Sequence, residues 1–130
     1  MGQPAAKKGD RIVAVDTHIV QPPGPVPPVP LPHPFSGVIN GGLSADVNIM
    51  GLPGATVGST ADNVPPHVPT PPGVSFLKPP ANKGTVSLGS QTVMINGKMA
   101  ARAGDAAVTC NDPVDAPVGR VVAAGTVFIG

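Results

Sequence analysis

The sequence predicts a small, closed all-β structure with roughly three-fold symmetry, made of three hairpin repeats joined by long Pro-rich loops. Three observations carry that expectation: a composition hostile to helices, an internal repeat at constant spacing, and a third copy of the repeat split between the two chain ends. The 130 residues include 19 prolines and 17 glycines, and all seven acidic residues are Asp. Pro and Gly interrupt every long window, and Asp forms helices poorly. Yet 41% of the residues are hydrophobic and only 12% are charged, the reverse of a disordered composition. The Pro and Gly content therefore has to be organised rather than loose.

The repeat supplies the elements in order. Ser44 to Ser59 reads SADVNIMGLPGATVGS and Ser90 to Asp105 reads SQTVMINGKMAARAGD. At one fixed offset Ser44, Val47, Ile49, Gly51, Ala55 and Gly58 meet Ser90, Val93, Ile95, Gly97, Ala101 and Gly104. Gly2 to Asp10, GQPAAKKGD, matches the second half of this unit, and Thr126 to Ile129, TVFI, matches its first half. The C-terminus thus supplies the strand that the N-terminus lacks, which implies a closed object with adjacent termini rather than an open stack. Within each copy a Val-x-Ile alternation precedes Asn96-Gly97 or Met50-Gly51. That pattern is a hairpin signal, because a tight primed turn needs positive φ at both central residues. Asp10 and Asp105 close the Ala-Ala-basic-x-Gly-Asp segments and are expected to bind turn amides. Lys7 and Arg102 sit at matching positions beside them.

Two Pro-rich stretches separate the copies, Gln21 to Pro34 and Val64 to Pro80. Each contains a histidine, and both are expected to be ordered, stiff loops. One domain spanning 1–130 with no extension domain is the expectation for this length. Phe35, Phe76 and Phe128 are the only aromatics, so the core should be thin. Cys110 is the only cysteine, so no intramolecular disulfide staples it, and a reducing compartment of synthesis is expected. No basic segment followed by an apolar run opens the chain, so export by a classical signal peptide is not expected. The apolar run from Val121 to Ile129 is too short to span a bilayer. A formal net charge of +1 with no Trp or Tyr argues against nucleic acid as a partner.

The candidate chemistry lies in His18, His33, His67 and Cys110, which are all the His and Cys of the chain. Three imidazoles and a thiolate make a complete tetrahedral set for Zn²⁺. His18 follows Asp10, and His67 follows the equivalent Ser59, by the same interval; Cys110 follows the third equivalent, Asp105, more closely. All three should project from one end of the body, with His33 joining from the first Pro-rich loop. A closed four-ligand site is structural, and its binding energy contributes to folding. Hydrolysis would need an open coordination position and a general base. There is no Glu, and Asp16 and Asp112 are weak candidates for that task. No enzymatic activity is expected.

Met99-Ala100-Ala101-Arg102 and Pro4-Ala5-Ala6-Lys7 resemble the motif of the PAAR-repeat proteins. The resemblance extends over Pro32 to Ile39 and Thr60 to His67, with Met99 and Lys7 as departures from the motif. It implies a small cone with pseudo-three-fold symmetry and a structural zinc near its apex, held by His18, His33, His67 and Cys110. It also implies a base that caps a trimeric VgrG-like spike of a contractile injection or type VI-like system, sharpening it for transient contact with a target membrane. The strands carrying Val47, Ile49, Val93, Ile95, Val127 and Ile129 are candidates for that base, with inward core packing as the competing expectation. A second role is an adaptor that attaches effector cargo. In either role the protein would be made in the bacterial cytoplasm and delivered on an injection particle.

Overall fold

The computed structural model describes residues 2–130. Among them there is no helix, so no helix is long and apolar enough to cross a membrane. The strands are β1 (Gln3–Pro4), β2 (Arg11–Gln21), β3 (Val29–Gly41), β4 (Asn48–Ile49), β5 (Leu52–Pro53), β6 (Thr60–Asn63), β7 (Ser75–Phe76), β8 (Lys83–Val86), β9 (Met94–Ile95), β10 (Lys98–Met99), β11 (Ala106–Thr109), β12 (Ala116–Val122) and β13 (Phe128–Ile129).

Two layers are built from these strands. At the base lie three two-stranded hairpins, β4–β5, β9–β10 and β13–β1. The third joins the chain ends, with Gln3 opposite Ile129 and Pro4 opposite Phe128, as the split repeat requires. Met50-Gly51 and Asn96-Gly97 turn the other two, each with φ between +52° and +82°. Above the hairpins, β2, β3, β6, β8, β11 and β12 pair antiparallel in that order, and β12 returns to β2. The result is a closed six-stranded barrel without free edges along its paired length. The strand β7 extends the far end of β2 at Val20 and Gln21.

A ring of main-chain hydrogen bonds ties the three copies together. The amide of Ala6 donates to the carbonyl of Ala101 at 2.9 Å, Ala101 to Ala55 at 3.0 Å, and Ala55 back to Ala6 at 3.0 Å. Only alanine-sized side chains permit this approach, and all three are fully buried. The turn that follows is stapled as expected: Asp10 Oδ2 accepts from the Lys7 amide at 2.9 Å, Asp105 Oδ2 from Arg102 at 2.7 Å, and Ser59 Oγ from Thr56 at 2.9 Å. Lys7 and Arg102 also pair with those aspartates through their side chains.

The core is layered by the same symmetry. Ile49, Ile95 and Ile129, about 5% exposed, pack with Ala5 and Ala100 between the hairpins. Each such burial contributes on the order of 2 kcal/mol. Of the six candidate base residues these three isoleucines therefore take the core-packing role. Val93 is partly buried against them, while Val47 and Val127 remain exposed. The strands are also shorter than the Val-x-Ile alternation suggested. The second core cluster fills the barrel with Ile12, Ile39, Val86, Val121 and small residues around one ring, Phe35.

The first Pro-rich stretch is not a loop throughout. Val29 to Val38 run as β3 against β2 in continuous register. Pro30, Pro32 and Pro34 all fall on the outward face, while His33 and Phe35 alternate inward. β6 covers β3 only from Gly37 onward, so the prolines lie where β3 has one strand neighbour, the setting in which a missing N–H is tolerated.

Candidate metal centre

Strand alternation builds the site. Along β2, Ile12, Asp16, His18 and Val20 share the inward face, so the interior changes from apolar to polar one step above Phe35. His33 comes inward from β3 directly opposite Asp16. His67 descends from the Pro-rich excursion between β6 and β7, its amide donating to Asn82 Oδ1 at 2.8 Å. Cys110 follows β11.

Of the four expected residues, the structure brings the ligand atoms of His18, His67 and Cys110 together, with Asp16 as the fourth member of that group, while His33 packs its ring beside them without joining it. The rings of His18, His33 and His67 form a triangle with centroid separations of 5.3, 5.0 and 5.6 Å. Phe35 lies against His67, and Phe76 lies against His18 and His33. Cys110 Sγ is 3.7 Å from His18 Nε2. His33 has both nitrogens engaged: Nδ1–H donates to the Leu31 carbonyl at 2.9 Å, and Nε2 accepts the Thr70 amide at 3.1 Å.

Asp16 is the site residue that sequence reasoning weighed only as a base. It is fully buried. It accepts from Thr109 Oγ1, from His67 Nε2 at 2.8 Å, from the Cys110 thiol at 3.4 Å and from Asn111 Nδ2 at 3.4 Å. The ligand atoms of Asp16, His18, His67 and Cys110 lie within 4.8 Å of one another. The available signal was its position two residues before His18 on one strand, hence on the same face.

Two imidazoles, a thiol and a carboxylate at this spacing suit a first-row transition metal such as zinc, and the buried, unpartnered Nδ1 of His18 belongs to a polar interior still lacking a partner. Burial pushes His18 and His33 towards their neutral forms. It also raises the Cys110 thiol to about 11, with Asp16 adding to the effect. A thiol so placed is protonated at neutral pH and is the reverse of an activated nucleophile.

Residues 78–130 match the family model of the PAAR motif. That stretch holds β8 to β13 and Cys110. No curated protein matches the chain.

Proposed function

From the match of residues 78–130 to the PAAR motif we propose that this chain is a PAAR-repeat protein and forms the non-enzymatic tip of a type VI-like spike, seated on a trimeric VgrG-like protein. The observation that carries this reading is the ring of hydrogen bonds through Ala6, Ala55 and Ala101. A single chain with three equivalent hairpins can meet three identical subunits with equivalent contacts. The outward positions of those hairpins carry Asn48, Met94 and Phe128 at equivalent places, all exposed, beside exposed Met50 and Leu52. The isoleucines beneath them keep the base flat and firm, while Met94 and Phe128 supply apolar contact.

At the other end, His18, His67 and Cys110 supply three donors for a zinc ion. The fourth position falls to Asp16, which already stands among them, or to His33 if its Nε2 exchanges the Thr70 amide for the metal. Bound there, the ion cross-links β2, the His67 loop and the end of β11, and adds its binding energy to folding. Closed strand pairing below and a metal clamp above make a stiff point. Stiffness is what a tip driven by sheath contraction needs. The protonated, buried thiol supports a structural role over a nucleophilic one. An adaptor role finds support in the exposed Val68 and Val74 of the Pro-rich excursion, and it is compatible with the same seating.

The test is co-purification with the trimeric spike protein, read as stoichiometry by native mass spectrometry. One chain per trimer is expected, and Phe128→Asp together with Met94→Asp should abolish the complex while leaving the metal-free melting temperature near that of the parent. Binding that survives both substitutions, or a ratio of three chains per trimer, defeats the reading.

A further inference from the structure

His18 Nδ1 is a buried side-chain nitrogen without a hydrogen-bond partner, alone in this among the described residues. One carboxylate faces it. Asp112 Oδ1 stands 3.6 Å away, with both side chains almost wholly buried. The other oxygen of Asp112 is already committed, accepting the Ile19 amide at 2.9 Å. The Asp112 amide donates to the Thr17 carbonyl at 2.8 Å, and Asn111 Oδ1 accepts the Thr17 amide at 2.7 Å. Residues 111 and 112 are therefore laced to β2 on both sides of His18. The lacing presents one free carboxylate oxygen to one ring nitrogen, while Cys110, just upstream in the same segment, presents sulfur to the other. Asp16 is not available for this task, because Thr109, Asn111, His67 and Cys110 all donate to it.

We propose that Asp112 is a positioning residue of the metal centre: it receives Nδ1–H of His18 and so aims the Nε2 lone pair at the metal. The proposal rests on the metal-binding reading above. A separation of 3.6 Å exceeds a formed hydrogen bond, and a small rotation of the ring closes it. An imidazole whose second nitrogen donates to a carboxylate is held in one tautomer and one orientation and is a better donor to a metal. The pair also accounts for a buried Asp outside the ligand group.

The experiment has two arms on the full chain. In the metal-free parent, ¹⁵N NMR of the imidazoles should show His18 as the Nδ1–H tautomer; finding Nε2–H overturns the proposal without any variant. In the second arm, Asp112→Asn retains an acceptor for the Ile19 amide but turns an NH₂ group towards Nδ1. Its zinc and cobalt(II) affinity, measured by chelator competition, should fall by roughly 10- to 100-fold, with His18 shifted towards Nε2–H. A variant that binds metal as tightly as the parent refutes the positioning role. A parent that binds neither metal defeats the metal reading itself, and the tautomer measurement still judges the contact.

Discussion

Replacing Phe35 with Ala should be the most damaging single truncation in the barrel. Phe35 is 2% exposed and is the one large ring in a cluster otherwise built of Ile, Val, Ala and Cys. Its neighbours cannot close the gap. A Cβ added at Gly37 or Gly84 would stand 3.0 or 3.2 Å from the ring, so these glycines exist to make room for it. Ala61 and Ala107 have no reach. Phe-to-Ala changes cost roughly 3–5 kcal/mol, the larger values where surroundings fail to collapse, so about 4 kcal/mol is expected. With an unfolding entropy near 2.1 cal/mol/K per residue over 130 residues, that loss lowers the melting temperature by roughly 15 °C. Reversible thermal and urea unfolding of metal-free protein measures it, because bound metal would add a concentration-dependent term. A loss below about 2 kcal/mol would show that the ring does not hold the barrel open and would refute the reasoning.

Two further outcomes follow from the same interior. Gly84→Ala brings a Cβ within 3.2–3.3 Å of Phe35 and 3.3 Å of Thr109, so it should cost about 1–2 kcal/mol; combined with Phe35→Leu that cost should shrink, and strict additivity in a double-mutant cycle would contradict the contact. Metal uptake should release the Cys110 proton, because burial holds that thiol at about 11 while His18 is pushed towards neutrality. The metal-free form then carries the extra proton, so affinity rises with pH, by about tenfold per unit between roughly pH 6.5 and 8.5. Affinity independent of pH, measured with proton release by calorimetry, would show that the thiol is not displaced.

Much of the fold was legible because its signals are local or repeated. Positive φ at Asn96-Gly97 follows from two adjacent residues, and the Asp10 and Asp105 staples from a turn of four. Circular closure followed from matching TVFI at one end to the first half of the repeat and GQPAAKKGD at the other end to its second half. Three members of the convergent group, His18, His67 and Cys110, were legible because the chain offers only three His and one Cys. Three points were not legible. The isoleucines of the base turn inward and expose Met94 and Phe128, because alternation defines two faces and the partner layer decides which is buried. Val29 to Pro34 became strand rather than loop because β2 was long enough to pair with it and β6 too short to demand amides from its prolines. Gly37, Gly84 and Gly119 fall at equivalent places two residues before Ile39, Val86 and Val121, but their spacing carried no meaning until Phe35 was seen between two of them.

The amino-acid sequence by itself determined the three-fold plan, the turns and the four candidate ligands, because each rests on residue identity and spacing. Only the tertiary structure decided which acids join them. Asp16 and Asp112 are ordinary in sequence. Their roles arise where β2, the His67 loop and the end of β11 exclude water, since a buried carboxylate persists only among donors that satisfy it.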